Sequence, residues 1–501
     1  TITSKVDGQL YKFLKLTYSM RFSRIDYDAP SWVGDQDQAN LFYHNVCRYW
    51  PIIPVKDPNG YNVPESFVEE LENGGRYKTQ QDVLSQQLAL LFTPIKNWNT
   101  HMEVNYRITN NDNNISRLTT YGHDVNGVPY MTNNNPSSVT GYGYKGNYFN
   151  PNIYTEYSRS FGDHNLNVMG GFQSEWYRYR DLTGTQKGVI ANIPTLNTTS
   201  YDPTVSGGTQ TWTTAGFFGR LNYDYKGRYL LEANIRYDGS SRFLRSNRWK
   251  TFPSFSIGWN IAQENFWKNL SSTVNTLKLR ASWGQLGNQN TDSWYPFYSL
   301  MGYNTNAGTW LVNNAKPNLS SEPSLVSSSL TWEKNRTWEI GLDWGALKNR
   351  LTGSFGYYQR KTFDMVGPAP ELPEILGTDV PKVNNLDMTS KGWDLQIRWQ
   401  DYINDLYYAV SLVLSDNKIV IDKYPNSAKD LGQTYYKGAH LGDIWGYTTE
   451  GIAKTEEEMN NHLSKADQTS LGSNWTAGDI MYADLNGDGK VNKGDNTAEK
   501  P

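Results

Sequence analysis

Near its end, the chain carries a run of oxygen-bearing side chains with the spacing of a calcium-binding loop. Asp484, Asn486 and Asp488 alternate, and Gly489 follows them directly. Ca²⁺ prefers about six to eight oxygen ligands, and a D-x-[DN]-x-[DN]-G frame supplies them from side chains and from one backbone carbonyl. The pattern therefore predicts a structural calcium site. Its expected ligands are Asp484, Asn486, Asp488, the Lys490 carbonyl, Asn492 and Asp495.

A second interpretation of this loop stays open. Asp495 stands where such loops usually carry the longer Glu. Segment 478–483, which precedes the loop, has the pattern of a strand or loop, not of the helix that an EF-hand would have there. Asp and Asn side chains also bond their own backbone in turns, with Gly at positive φ. The segment is therefore either a calcium site or an Asx-rich turn.

A short helix is expected in the same part of the chain. Thr455 followed by Glu458 forms a capping box, in which each side chain bonds backbone N–H groups of the first turn. Met459 and Leu463 lie one turn apart after it, which predicts a helix of about two turns. We predict that 421–501 is one long loop that carries this helix and the calcium-type loop.

Composition excludes several classes of protein. Aromatic residues make up 14% of the 501 residues, whereas charged residues make up only 19%. The mean hydropathy is −0.68, and the longest apolar run, 88–92, is far shorter than the roughly 18 residues of a membrane-spanning helix. The net charge of −3 without a basic stripe argues against nucleic-acid binding. The six His are scattered and Cys47 is the only cysteine, so we predict that the protein is not an enzyme.

Long alternating segments dominate the rest of the chain. Segment 337–344 is one example, with an apolar face of Trp338, Ile340, Leu342 and Trp344. Such alternation predicts strands with one apolar and one polar face, and most of these segments exceed the usual length of about five or six residues. We predict strands at about 9–23, 85–95, 98–110, 150–161, 164–180, 210–225, 227–240, 249–262, 274–284, 335–346, 350–363, 391–401 and 405–420.

The connections between these strands alternate in kind. Tight turns are predicted at 94–98, 161–165, 226–227, 346–349 and 401–405, with a modest link at 263–273. Long polar loops are predicted at 24–84, 111–149, 181–209, 285–334, 364–390 and from 421 onward. Short turns at one end and long loops at the other are typical of an outer-membrane barrel with periplasmic turns and extracellular loops. The fold class predicted from the residues is therefore an all-β, transmembrane, antiparallel up-and-down β-barrel.

Several stretches, in a fixed order, also carry a resemblance. They are "YLLEANIRYDGSSRF" (229–243), "FPSFSIGWNIAQENF" (252–266), "LKLRASWGQLGNQN" (277–290), "LTWEKNRTWEIGLDWGALKNRLTGSFGYYQRKT" (330–362), "VNNLDMTSKGWDLQI" (383–397), "GDIWGYTTEGI" (442–452) and "GDIMYADLNGDGKVN" (478–492). Together they cover most of 165–497, and they resemble the SusC-like, TonB-dependent transporters of the Bacteroidetes outer membrane.

The resemblance implies a barrel of about 22 strands closed by an N-terminal plug. It also implies import of a large nutrient, an oligosaccharide or a peptide, with energy from the TonB complex and a SusD-like surface lipoprotein as a lid. No TonB box or plug precedes Thr1, and no terminal aromatic strand follows Pro501. We therefore expect 1–501 to be a partial barrel domain in the outer-membrane lipid, with its route to TonB in a missing N-terminal part.

Two sets of residues are candidates for contact with a substrate. The polar faces of the strands are expected to line the lumen through Arg228, Glu232, Arg236, Lys278, Arg280, Glu339 and Asp343. Aromatic residues assigned to the loops could stack on sugar rings or peptide side chains, or pack within their own loops. These candidates are Tyr142, Tyr144, Trp212, Trp294, Tyr295 and Trp310.

Two other functions remain open from the residues alone. A secreted, calcium-stabilised soluble β-protein that binds or cleaves glycans would explain the calcium-type loop and the aromatic residues, with the apolar faces forming its core. It would not explain the sorting of short and long connections. A passive porin or adhesion barrel is a weaker alternative.

Overall fold

The computed structural model describes residues 1–31, 47, 50–291, 293–367, 381–425, 435–444 and 446–492. Contacts divide the chain into two compact units, one of residues 1–158 with 169–217 and the other of residues 159–168 with 218–501. Within the described residues, no helix is long and apolar enough to cross a membrane.

Strands dominate both units. They are β1 Ile2–Tyr11, β2 Leu14–Pro30, β3 Arg76–Ile95, β4 Trp98–Arg117, β5 Thr120–His123, β6 Pro129–Asn133, β7 Ser138–Phe161, β8 His164–Val189, β9 Thr199–Tyr225, β10 Tyr229–Ser240, β11 Trp249–Asn260, β12 Val274–Asn288, β13 Tyr303–Asn304, β14 Leu319–Ser320, β15 Glu333–Ala346, β16 Leu351–Gly367, β17 Val383–Ile403, β18 Leu406–Lys423, β19 Thr449–Ile452 and β20 Ile480–Tyr482. Two α-helices lie entirely within the described residues, α1 Val68–Asn73 and α2 Glu456–Leu463, and single 3₁₀ turns lie at Pro64–Ser66, Leu196–Thr198, Ile261–Gln263 and Asn265–Trp267.

Among the described residues, fourteen of these strands pair in chain order in one sheet, β1-β2-β3-β4-β7-β8-β9-β10-β11-β12-β15-β16-β17-β18. The predicted up-and-down order is confirmed. Three two-stranded sheets, β5-β6, β13-β14 and β19-β20, lie within the connections.

The predicted tight turns are confirmed, and their backbone shows why the chain reverses there. Asn97, Gly162 and Asn404, in the turns after β3, β7 and β17, have φ of 69°, 61° and 54°. Lys226 and Gly227 both have positive φ, and the Arg228 N–H donates to the Tyr225 carbonyl at 2.9 Å. This is the geometry of a two-residue type I′ turn, whose twist matches that of the flanking strands.

Strand lengths correct the sequence prediction in two ways. The predicted strand 9–23 is a hairpin, because the chain turns between β1 and β2 at Lys12 and Phe13, where no Gly, Pro or Asn marks the reversal. Most other strands run farther into the predicted loops. Strand β4 reaches Arg117 and β7 starts at Ser138, so much of the predicted loop 111–149 is a paired ladder. Its many Asn and Gly residues lower β-propensity, yet cross-strand pairing holds them extended.

In the first unit, one face of the sheet is apolar and exposed. Leu16, Leu90, Met102 and Ile153 lie opposite one another on β2, β3, β4 and β7. Met102 and Ile153 are 42% and 43% exposed although their backbones are fully paired. The face that alternates with it carries mainly polar side chains.

The second unit repeats this division into faces. Ile257, Ala281, Ile340 and Tyr357 form a cross-strand row on β11, β12, β15 and β16. Ile257 and Ile340 are 59% and 51% exposed. The predicted soluble alternative required this face to be a core, and its exposure argues against that reading.

Small buried clusters lie where the long connections meet the strands. Phe243, Phe252, Leu330 and Trp332 form one, and the Trp332 indole N–H donates to the Arg248 carbonyl at 2.8 Å. A second cluster consists of Leu386, Ile421, Tyr436 and Ala439. These clusters attach the connections to the ends of the strands.

Segment 446–492 forms a small structure of its own within the second unit. The predicted helix is confirmed as α2: the Glu458 N–H donates to the Thr455 hydroxyl at 3.2 Å, and the Lys454 N–H donates to the Glu458 carboxylate at 2.7 Å. Met459 on α2 is fully buried. The segment predicted as a loop from 421 onward therefore also contains the end of β18 and the hairpin β19-β20.

Candidate functional site

The calcium-type loop follows strand β20 and is held by its own side chains. The two carboxylate oxygens of Asp484 accept the N–H groups of Gly487 and Gly489, both at 2.7 Å. Asn486 Oδ1 accepts the Asp488 N–H, and Asp488 Oδ1 accepts the Lys490 N–H, both at 2.8 Å. This is a run of consecutive Asx turns.

Backbone conformation explains the two glycines of this loop. Gly487 and Gly489 have φ of 76° and 79°, where a side chain with a Cβ is strained. Two backbone hydrogen bonds join the end of the loop to Asp467. The Asp467 N–H donates to the Gly489 carbonyl at 2.9 Å, and the Val491 N–H donates to the Asp467 carbonyl at 2.8 Å. The loop is thus fastened to the segment that follows α2.

The side-chain oxygens of this loop are the candidate ligands for a calcium ion. Asp484, Asn486 and Asp488 direct side-chain oxygens at backbone N–H groups of the loop, and oxygen is the ligand atom that Ca²⁺ prefers. Among the described residues, no three His, Cys, Asp or Glu side chains gather into a metal cluster. Asn492 is the last described residue of the chain, and the predicted twelfth-position ligand Asp495 lies outside the described residues. The described part therefore fits both interpretations of the loop.

A buried glutamine connects the elements around this loop. Gln468 is fully buried, its Nε2 donates to the Ile480 carbonyl at 3.0 Å, and its Oε1 accepts the Tyr482 N–H at 3.1 Å. The same Oε1 lies 3.2 Å from His462 Nε2 on α2. One side chain therefore links helix α2 to strand β20. Sequence reasoning missed Gln468, because no motif marks it.

The neighbouring Asp467 is held in its ionised form. The Thr469 N–H donates to Asp467 Oδ1 at 3.0 Å, and this backbone bond, with a smaller contribution from the charge of Lys490, lowers the pKa of the carboxyl. An Asp carboxyl is already ionised at neutral pH, so this bond extends its ionised range to lower pH.

A second candidate site lies on the polar face of the first unit. The Tyr144 ring stacks on Tyr179 with centroids 5.5 Å apart, and its hydroxyl bonds the Tyr177 hydroxyl. The Tyr177 ring lies 6.1 Å from Trp212. Tyr142 precedes Tyr144 by two positions on β7 and shares its face. We call Tyr142, Tyr144, Tyr177, Tyr179 and Trp212 the aromatic cluster.

Strand positions replace the loop positions expected for the aromatic candidates Tyr142 and Tyr144, and Trp212 lies in a strand, as the predicted bounds 210–225 had it. Tyr142 and Tyr144 lie in β7 and Trp212 lies in β9. Their rings are only partly buried. Gly146 leaves the space that the hydroxyls use, because a Cβ there would come within 2.8 Å of the Tyr177 hydroxyl. Three of the aromatic candidates thus share one surface.

Next to the aromatic cluster lies a polar group that sequence reasoning missed. The Tyr148 hydroxyl donates to Glu175 at 2.8 Å, and the Thr214 hydroxyl donates to the other oxygen of Glu175 at 3.3 Å. The Arg107 guanidinium lies 5.0 Å from the centroid of the Tyr148 ring. The sequence signal that could have predicted this group is the placement of Tyr and Glu at alternate positions in "GYGYKGNY" and "EWYRYR", which puts them on one face of each strand.

The other three aromatic candidates lie in the second unit, in the connection between β12 and β15. The Arg242 guanidinium lies 5.8 Å from the centroid of the Trp294 ring. Tyr295 contacts Tyr298 with centroids 5.9 Å apart. Trp310 is 57% exposed. These residues remain in a connection, as the sequence predicted.

On the polar face of the second unit, part of the predicted lumen set forms ion pairs. Arg280 on β12 contacts both Glu339 and Asp343 on β15, and its Nε lies 3.5 Å from Asp343. Gly341 makes room for it, because a Cβ there would lie 2.4 Å from the Arg280 Cζ. The predicted sharing of one face by these three residues is confirmed.

Comparison with known proteins identifies the family. Residues 12–497 match the family model described as TonB dependent receptor-like, beta-barrel. The chain belongs to this family of TonB-dependent receptor barrels. It is a protein of the bacterial outer membrane, so its exposed apolar face is the one suited to lipid.

Curated relatives of this receptor barrel include SusC-like proteins. The chain is 30% identical over 365 residues to TonB-dependent receptor P3 of Formosa agariphila, a match that covers 68% of this chain and 34% of that protein. It is 36% identical over 249 residues to TonB-dependent receptor SusC of Bacteroides thetaiotaomicron, covering 48% of this chain and 23% of SusC. The receptor barrel thus spans about a third or less of the length of these relatives. The SusC-like resemblance is confirmed.

Solved structures support the fold of the receptor barrel. A chain of the RagAB peptide transporter superposes with a TM-score of 0.72 at 20% identity and covers 90% of this chain and 50% of that chain. The RagAB peptide importer in its open-open state gives a TM-score of 0.68. At this identity the likeness is evidence for the fold alone.

Proposed function

We propose that the protein to which this barrel belongs imports a large nutrient, an oligosaccharide or a peptide, across the outer membrane with energy from the TonB complex. The observation that carries this proposal is the family match over 12–497. The SusC relative supports nutrient uptake as the function of the barrel. In this proposal the polar faces conduct and recognise the solute, and the protein has no catalytic activity of its own.

We propose a SusD-like surface lipoprotein as the partner that closes the mouth of this barrel. The long connections alternate with tight turns along the chain, which is the arrangement of extracellular loops and periplasmic turns. The long connections, including 446–492, offer the docking surface. The test is to purify the full-length protein from its native membrane and to identify the proteins and ligands that accompany it. Recovery without any lipoprotein would refute the paired model.

Aromatic stacking in the cluster on β7, β8 and β9 is the proposed means of solute recognition. We expect Trp212→Ala to weaken binding of the solute by at least about 10-fold, because exposed rings in a polar surface contribute strongly to recognition. Binding of neutral oligosaccharides and peptides to the full-length protein would be measured by calorimetry. Phe217→Ala is the matched control, since Phe217 lies on the same strand and the opposite face. Equal effects of the two changes would contradict this role.

We propose that Ca²⁺ binds the loop at Asp484, Asn486, Asp488, the Lys490 carbonyl, Asn492 and Asp495. The ion would stiffen the loop and would have no catalytic role. The order of donor types along the chain supports this, together with the Asx turns that already orient three of the side chains.

Removing one carboxylate tests the calcium site. We expect Asp488→Ala to lower calcium affinity at least about 10-fold and to make segment 446–492 more susceptible to protease, while the strands keep their thermal stability. Glu457→Ala removes the same charge from the exposed surface of α2 and serves as control. Collapse of the whole barrel's thermal stability in Asp488→Ala would show that the loop has another role.

A further inference from the structure

A shallow concavity of about 320 Å³ opens on the polar face of the first unit, over strands β1, β2, β3, β4 and β7. One cross-strand row runs through it, formed by Thr3, Arg21, Ser85, Arg107 and Tyr148. The adjoining row of Ser19, Gln87 and Asn105 also lines it. We call this surface the arginine concavity.

The charge of the arginine concavity is one-sided. Its lining contains Arg21 and Arg107 and no Asp or Glu. Both arginines are exposed, and no carboxylate of the described residues forms an ion pair with either. Two other strand arginines do pair with acids: Arg24 bonds Asp82 at 2.7 Å, and Arg280 bonds two acids. Two cations without an internal counter-ion therefore face the same open space.

Arg21 and Arg107 lie on one cross-strand row of the polar face. Neighbouring strands lie about 4.8 Å apart, so Arg21 and Arg107 stand about 10 Å apart with Ser85 between them. The Tyr148 ring lies 5.0 Å from the Arg107 guanidinium. Stacking on a ring leaves the in-plane N–H donors of a guanidinium available for a carboxylate.

The nearby acid does not neutralise this site. Glu175 accepts the hydroxyls of Tyr148 and Thr214 and lies on the far side of Tyr148 from Arg21. The remaining lining side chains are neutral. The Ser19 hydroxyl donates to Gln87 at 3.3 Å. Neutral hydrogen-bonding groups around two cations suit a polar solute that carries a negative charge.

We propose that the arginine concavity is a subsite for a carboxylate of the imported solute. The ligand class is an anionic oligomer, whose carboxylate comes either from a uronic acid unit or from an acidic peptide. The inference rests on the proposed import, because it assigns a charge to the solute that the barrel handles. The carboxylate lies above Ser85 and accepts N–H groups from Arg21 and Arg107.

The test measures equilibrium binding to the full-length protein isolated with its native partners. Two pairs of probes separate the sources of the carboxylate: an oligogalacturonate and its methyl ester, and a glutamate-rich peptide and its glutamine counterpart. We expect the wild type to bind at least one anionic probe about 10-fold or more tightly than its neutral counterpart, with an affinity that falls as salt rises. Arg21→Gln and Arg107→Gln remove the preference for the anionic probe over its neutral counterpart. The control is Arg180→Gln, because Arg180 lies on the opposite face of β8 from Tyr177 and Tyr179. This variant should keep the preference for the anionic probe.

The outcomes separate this inference from the proposed function. Wild-type binding that is indifferent to charge overturns the carboxylate subsite, even where uptake is intact. Loss of ligand-free thermal stability in Arg21→Gln and Arg107→Gln, with binding unchanged, also overturns it, because the arginines then hold another part of the full-length chain. Arginine-dependent binding without energy-dependent uptake by cells supports the subsite and refutes the proposed import.

Discussion

Replacing Ile340 by arginine is expected to lower the free energy of unfolding of the full-length barrel in lipid vesicles by about 2–4 kcal/mol. Ile340 lies in the middle of β15 and is 51% exposed. Its cross-strand neighbours Ala281 and Tyr357 continue an apolar row. Arginine at the middle of a lipid-facing strand loses its hydration, and neither of these two cross-strand neighbours is a carboxylate that could compensate for it.

The matched control is Ser282→Arg. Ser282 lies on β12 directly opposite Glu339, on the polar face. Arginine there gains an acidic neighbour and water, so we expect a change of less than about 1 kcal/mol. Unfolding in guanidinium would be followed by the mobility difference between folded and boiled protein on gels. Equal destabilisation by the two changes would contradict the assignment of the apolar face to lipid.

The second large effect is expected at Gln468. Gln468→Ala removes the bonds to the Ile480 carbonyl and the Tyr482 N–H and leaves a cavity at a fully buried position. An unsatisfied buried backbone group costs about 1–3 kcal/mol. Two such groups and the cavity exceed what a segment of this size can withstand, so we expect 446–492 to open.

Hydrogen exchange of the full-length protein would measure this opening. The amides of Met459 and Val491 should lose protection in Gln468→Ala, while those of β15 and β16 keep theirs. Asn461→Ala, an exposed change on α2, is the control and should leave all protection unchanged. Loss of protection in β15 would mean that the segment and the strands unfold together. Intact protection at Met459 would mean that Gln468 is dispensable.

Much of the fold followed from the residues alone. The apolar alternation in 337–344 and the turn at Lys226 and Gly227 depend on neighbours in the chain, and both were predicted correctly. The capping box at Thr455 is equally local, because its bonds join residues three and four positions apart. The hairpin at Lys12 and Phe13 was missed, since nothing in those two residues requires a turn.

The site was only partly predictable. Tyr144 was a candidate for solute contact, but it was assigned to a loop because its Asn- and Gly-rich surroundings favour loops. The six proposed calcium ligands follow from an Asp, Asn and Gly pattern that also occurs in Asx turns without a metal. Calcium binding by these residues remains a prediction.

The sequence by itself determined a chain of long two-faced strands with sorted connections, because alternation and turn chemistry are short-range properties. The tertiary structure decided which distant residues meet. Register between strands places Arg21, Ser85 and Arg107 in one row and joins Tyr144 to residues of β8. Such neighbours are tens of residues apart in the chain, and a shift of one residue in register would send each side chain to the other face.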